Sequence, residues 1–302
     1  MASKNVPHNT ISLIAWLALG VIWGSNFIFM KWATDYISPE QVVLARVALG
    51  FIPVLLYAAA KRQLKTAHLK HAKHFVVMAC LAAAVYYYGF ARGTSLLPSG
   101  IAGAVSGAIP LFSVIAAALF LRDERLTRIK VLGLIIGFIG VLMIARPFDT
   151  GLGGASAEGV LFMTLGSFSL GVSFVYAKKY VMPLKLPTAA LTTYQLGFAA
   201  IILAVFTNFG SISNITQSNT ALAGLVLGLG LMGTGLAYII YYYIVSEMGA
   251  IAASSVTYVP PVVALIIGAI LVGEQIELTD YVATALIFVG VILLNLKKRQ
   301  LR

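Results

Sequence analysis

Trp23, Asn26, Phe27 and Met30 recur at helical spacing, so an indole, a carboxamide, a phenyl ring and a thioether share one helix face. The corresponding face 147 positions later carries Ser169, Ser173 and Tyr176, because GSNFIFMK (Gly24 to Lys31) is echoed by GVSFVYAK (Gly171 to Lys178). Two tyrosine clusters add rings and hydroxyls: Tyr86, Tyr87 and Tyr88, then Tyr238, Tyr241, Tyr242 and Tyr243. The small-residue runs SGIAGAVSGAIP and GAIAASSVTYVP bring Ser106, and then Ser254 and Tyr258, close to Pro110 and Pro260. Such side chains recognise a solute; they do not make or break bonds. No nucleophile has a partner base in these helices and no two carboxylates are paired, so catalysis by an intramembrane enzyme is the weaker reading. No metal or cofactor is expected. His68, His71 and His74 could share a face, but a solvated basic loop beside anionic lipid accounts for them better than a metal.

The elements that must position these residues are apolar. Hydrophobic residues make up 60% of the chain and charged ones 10%, which leaves a water-soluble domain no polar surface. Ten runs of about 20 residues, the length that crosses a hydrocarbon layer as helix, are expected near 11–33, 41–60, 74–94, 99–121, 128–146, 157–177, 188–207, 221–246, 250–272 and 279–296. The dyad alternation of barrel strands is absent. The first run lacks a small-residue cleavage pattern and matches the sixth, so it is expected in the mature fold rather than in a signal peptide. Cys80 has no second cysteine to pair with and reads as packing.

Lys and Arg cluster in alternate connections. Lys61, Arg62, Lys65, Lys70 and Lys73, then Arg122, Arg125, Arg128 and Lys130, then Lys178, Lys179 and Lys185 fall on one side with Lys4 and the last residues. That side is expected to be cytoplasmic, with both termini inside. The net charge of +11 is thereby a topology signal, and no basic soluble domain exists to bind nucleic acid.

The repeat runs through the chain: Pro110 pairs with Pro260, Glu124 with Glu274, and FIGV at Phe138 with FVGV at Phe288. Five spans per half is odd, so residues 1–150 and 151–302 are expected to insert in opposite senses around a central cavity. That plan recurs in carriers working by alternating access, and it disfavours a fixed pore or a receptor. Mid-span prolines remove a backbone donor and predict kinks. Small residues in the fourth and ninth helices, and Gly133, Gly137, Gly140 and Gly290 in the fifth and tenth, predict close packing or a dimer-type surface. Small serines can equally act as glue between helices, and tyrosines at helix ends can belt the interface. Lys31 and Lys178 are expected to snorkel.

Two further features bear on mechanism. Arg46 lies about two turns inside the second helix, where it could pair with Asp35, with Glu40 or with a substrate carboxylate. No Asp or Glu lies mid-helix, so transport down the substrate gradient is expected rather than proton coupling. Gly228 to Gly233 fits G-x-G-x-x-G but lies in an apolar helix without the strand that dinucleotide binding requires. Asn214-Ile215-Thr216 is a glycosylation sequon that matters only in a secretory pathway.

The WGSNFIFMK start, Arg46, the run ARGTSLLPSGIAGAVSGAIPLFSVIAAALFLRDERLT and its partner VSEMGAIAASSVTYVPPVVALIIGAILVGEQIEL together resemble the tandem EamA domains of the drug/metabolite transporter superfamily over nearly the whole chain. The resemblance implies an all-α polytopic membrane protein: ten transmembrane helices in two inverted five-helix repeats, with a cavity lined by helices 1, 3, 4, 6, 8 and 9. It also implies that Glu124 and Glu274 cap helix ends. Within the superfamily the chain resembles YddG-like bacterial exporters of aromatic amino acids, which implies an inner-membrane carrier of small organic metabolites; a bundle of this size can act alone, and a monomer is expected. Multidrug, sugar, purine or nucleotide-sugar transport is the alternative. Arg92 departs from the neutral residue frequent there.

Overall fold

The computed structural model describes residues 10–121, 126–145 and 157–295, with the side chains of 249–254 and 295 outside that description. Glu124, Ser254 and the terminal cations therefore lie outside the described residues or side chains. Among the described residues the regular structure is entirely helical. Eight helices are long and apolar enough to cross a membrane: α1 Thr10–Thr34, α2 Pro39–Ala60, α3 Thr66–Leu96, α4 Ser99–Phe120, α5 Arg128–Ala145, α6 Ala157–Leu184, α7 Thr188–Phe206 and α8 Asn219–Met248. Two shorter apolar helices follow, α9 Val256–Val272 and α10 Leu278–Leu294. The outward surface is apolar, with Leu119, Val205, Phe206, Ile270, Leu271 and Leu278 mostly exposed. Only a hydrocarbon solvent makes such a surface stable, and the protein is an integral membrane protein.

The connections are short, so chain neighbours run antiparallel. α2 packs on α7 and α8, α3 on α6 and α7, α1 on α8 and α9, and α4 on α6 and α9; α5 and α10 form the most extensive pair. That pair is a backbone-to-backbone seam: a side chain at Gly133 would strike the Gly290 carbonyl, and one at Gly140 the Ala283 carbonyl. The glycine faces are thus used within the chain and do not form a free dimer-type surface.

Several helices are interrupted. In α4, Gly107 and Ala108 take amide bonds back to Ala104 and Val105, one residue short of the α-helical ladder, and helix restarts at Ile109 with Pro110 in its first turn. In α9 a tight turn at Val256–Tyr258 precedes helix Val259–Ile266, which carries Pro260 in its first turn. Proline is tolerated there because the first-turn amides have no intrahelical acceptor. Both expected kink sites are breaks.

Wide, five-residue-spaced winding occurs at Cys80–Ala84 in α3, Ala177–Val181 in α6 and Gly224–Leu236 in α8. Sequence periodicity tuned to 3.6 residues does not register such winding. It is also why α6 continues to Leu184 rather than ending near 177. The G-x-G-x-x-G run lies inside the wide part of α8, where Gly228 abuts the Phe29 ring and Gly233 the Asn26 side chain. Its glycines bring α8 close to α1; they do not hold a nucleotide.

The three histidines differ from expectation as well. His68 is buried, edge-on to Tyr194, and the His74 ring shares a 2.8 Å hydrogen bond with the Tyr176 hydroxyl. Those two pack the α3 start against α7 and α6, with their rings against aromatic neighbours. Among the described residues no group of His, Cys, Asp and Glu could hold a metal ion.

Glu274, just beyond α9, accepts from the Ser99 amide and hydroxyl, each at 2.7 Å, and from the Gly100 amide at 2.9 Å. One carboxylate therefore satisfies two of the orphan amides at the start of α4 and complements its dipole. Replacing Glu274 with Ala is expected to destabilise the detergent-solubilised protein by about 2 kcal/mol. Ser99→Ala should cost less, since both amide bonds survive. Melting curves of the two variants check this, and an unchanged midpoint for Glu274→Ala would remove the cap from the account.

Candidate functional site

Arg46 is a buried charge, only 5% exposed, and three helices converge on it. Its Nε donates to Thr234 Oγ1 at 3.0 Å, and Thr234 in turn donates to the Leu229 carbonyl of the wide α8 segment at 2.9 Å. With the Asn26 amide assigned from its neighbours, the Asn26 oxygen accepts from Arg46 Nη2 at 3.1 Å while its nitrogen donates to the Ile22 carbonyl at 3.2 Å. The Tyr87 ring covers the guanidinium face, 4.0 Å from Cζ to ring centroid. Nη1 reaches only the Met30 sulfur, at 3.9 Å.

From Arg46 an aromatic strip crosses the interior. Tyr87 contacts Tyr86 at 4.8 Å between centroids and adjoins the Tyr238 phenol. Tyr238 stacks on Tyr242 at 6.2 Å, and Tyr242 meets Tyr57 and Tyr241 at 6.4 Å each. Tyr241 meets Trp23 at 6.1 Å. Tyr86, Tyr238 and Tyr242 are only partly covered although helices surround them. The Tyr242 hydroxyl is buried without a hydrogen-bond partner, beside the Thr192 side chain. A wall of rings beside a fixed cation can hold a flat amphiphile.

The expected residues divide. Asn26, Tyr87, Tyr238, Tyr242 and Trp23 are joined in this strip. Tyr88 is not: it is 38% exposed on the outer surface, edge-on to Phe162 at 6.1 Å. One residue turns a helix by about 100°, which takes Tyr88 off the face that Tyr87 occupies. The serines are largely spent on backbone. Ser106 donates to the Gly103 carbonyl and Ser173 to the Leu170 carbonyl at 2.7 Å, each within its own helix, while Ser169 bridges to the Leu81 carbonyl of α3 at 2.7 Å. Tyr176 is bonded to His74 at the far end of α6. Tyr258 lies at the α9 break, half-buried against the main core.

Other charges are accounted for by packing. Arg92 pairs with Glu158 at 2.9 Å on the surface, and Lys31 Nζ donates to the Ser95 carbonyl near the end of α3 at 3.1 Å. Arg46 forms no ion pair with Asp35 or Glu40; Arg92–Glu158 is the sole salt bridge among the described residues. Sequence reasoning missed Thr234, whose one signal was a hydroxyl within a glycine run. It also missed the Trp16 Nε1 bond to Ser255 at 3.2 Å, which ties α1 to the start of α9.

A polytopic helical protein with an aromatic interior and a buried guanidinium defines the class: a membrane protein that handles a small solute. The EamA-like transporter family model matches residues 10–146 and again 157–296, and the chain belongs to that family. It is 26% identical to an uncharacterized transporter of Archaeoglobus fulgidus, across 94% of this chain and 99% of that one. Bacillus subtilis YdfC, an uncharacterized transporter, is 29% identical across 84% of this chain and 80% of its own. The uncharacterized inner membrane transporter YedA of Escherichia coli is 25% identical across 94% and 90%. A solved crystal structure covers 97% of this chain and 99% of its own with a TM-score of 0.61 at 19% identity, a likeness of fold.

Because the Ser169 hydroxyl serves an α3 carbonyl, Ser169→Ala is expected to lower stability by about 0.6 kcal/mol and leave solute handling unchanged. Thermal unfolding and uptake measured on one preparation test both halves of that statement.

Proposed function

We propose that this protein is a secondary carrier that moves small organic metabolites, first among them amino acids with aromatic or apolar side chains, by alternating access. The carrying observation is the partly covered strip of Tyr86, Tyr238 and Tyr242 beside Asn26 and Arg46, an interior surface suited to a ring. In this reading residues 1–150 and 151–302 are two inverted five-helix repeats. Their packing supports it: exchanging α1 with α6, α2 with α7, α3 with α8, α4 with α9 and α5 with α10 turns the major helix contacts into one another. The breaks at Pro110 and Pro260, and wide winding in both α3 and α8, fall at corresponding places and supply joints for such a motion.

The finer features follow the same reading. The carrier is a YddG-like exporter or facilitator in a bacterial inner membrane, monomeric, with lipid around it, both termini cytoplasmic and no bound cofactor or nucleic acid. Among the described residues no carboxylate adjoins the strip, which favours flux down the substrate gradient over proton coupling. Transport of another metabolite or a drug is the second reading, favoured by the breadth of solutes that ring faces accept.

In proteoliposomes, labelled phenylalanine should enter saturably and faster against unlabelled phenylalanine inside. Tyr238→Ala should raise half-saturation about 3- to 10-fold, whereas Tyr88→Ala on the outer surface should match the native protein. Linear, non-saturating uptake would contradict a carrier; equal behaviour of the two variants would detach the strip from substrate.

A further inference from the structure

We infer that Arg46 is the anion-recognising end of the substrate site and takes a carboxylate, with the rest of the solute lying along Tyr86, Tyr238 and Tyr242. This rests on the carrier reading above and narrows it to solutes that bear a carboxylate.

A guanidinium cannot shed its proton at depth as a lysine can, so its charge persists wherever the chain places it. Placed about 10 Å inside α2, such a charge is costly unless an anion or water answers it. Among the described residues every partner of Arg46 is neutral: Thr234, Asn26, Met30 and the Tyr87 ring. Those partners fix its pose, and only the Tyr87 ring answers part of its charge. Tyr87 takes the planar face, Thr234 takes Nε and Asn26 takes one proton of Nη2, which leaves the Nη edge. Nη1 there meets only a thioether, one of the weakest acceptors a protein offers. A carboxylate oxygen would displace the sulfur, and the fork geometry lets its second oxygen meet the remaining Nη2 proton.

The ligand class follows from charge and shape. One planar cation balances one monoanion, whereas a phosphate dianion would bring a second charge that nothing beside Arg46 meets. Tyr87 links the guanidinium to Tyr86 and to the Tyr238 phenol, so the wall next to the cation is aromatic. A bare helix strap would explain the three-helix convergence, but a neutral glutamine could serve as one without placing a charge in the membrane.

The test uses the full-length purified protein in lipid nanodiscs and a series of small probes. 3-Phenylpropionate and L-phenylalanine should bind about tenfold or more tightly than 3-phenylpropionamide and phenylalaninamide, and 2-phenylethylamine should not compete. Inorganic phosphate and chloride should fail to displace 3-phenylpropionate at millimolar levels. Arg46→Gln should erase the preference for carboxylate over amide, and Arg46→Lys should keep it in weakened form. If Arg46→Gln does not fold, the native protein's own ranking decides. Equal affinity for acid and amide, no binding of either carboxylate, displacement by chloride or phosphate, or a preference that survives Arg46→Gln overturns the inference. Failure of the carrier reading is distinct: selective carboxylate binding without phenylalanine counterflow sinks transport and leaves Arg46 standing, while saturable counterflow with no acid preference does the reverse.

Discussion

In hydrocarbon a polar group has only the protein to bond to, and this constraint organises the molecule. It sets the destination of many hydroxyls in the bundle: Ser106, Ser173, Thr193 and Thr207 all return to carbonyls of their own helices. It also explains the distant pairings. Glu274 serves amides 174 and 175 residues away, because the start of α4 has no water to turn to and no cap in its own sequence. Ser169 likewise reaches the Leu81 carbonyl, 88 residues away in the wide turn of α3.

Close approach of backbones makes those pairings possible. Without a hydrophobic drive between helices in lipid, association depends on contact density and bonds. At Gly103 any side chain would collide with Ala264, so α4 and α9 meet where Glu274 caps α4. At Gly233 the missing side chain admits Asn26 to α8, next to the Thr234 that holds Arg46. Small residues thus do more than fill space: they decide which polar groups can reach each other.

Much of this was legible in the chain. Apolar run lengths gave the helices, the prolines marked the breaks in α4 and α9, and helical spacing grouped Trp23, Asn26 and Met30 on one side of α1. Orientation about a helix axis was legible only within a turn: Tyr87 and Tyr88 are adjacent letters, yet one faces Arg46 and the other the outside. Long-range partners were not legible, since nothing near Glu274 announces Ser99 and nothing near Arg46 announces Thr234. Wide winding shifts the helical phase without altering hydropathy, so the passage Gly224–Leu236 read as ordinary helix. The bonding of the serines was not legible either, since a hydroxyl's letter does not reveal which backbone carbonyl it donates to.

The uncompensated guanidinium of Arg46 has an electrical consequence. A fixed charge inside the bilayer feels the transmembrane voltage, at about 2.3 kcal/mol per 100 mV for a full traverse. Any rearrangement that displaces α2 along the membrane normal, or moves the aqueous boundary past Arg46, therefore performs work against that field in proportion to the fraction of it crossed. An anion riding with Arg46 cancels the work, so the occupied and vacant forms of the protein respond differently to the same membrane potential.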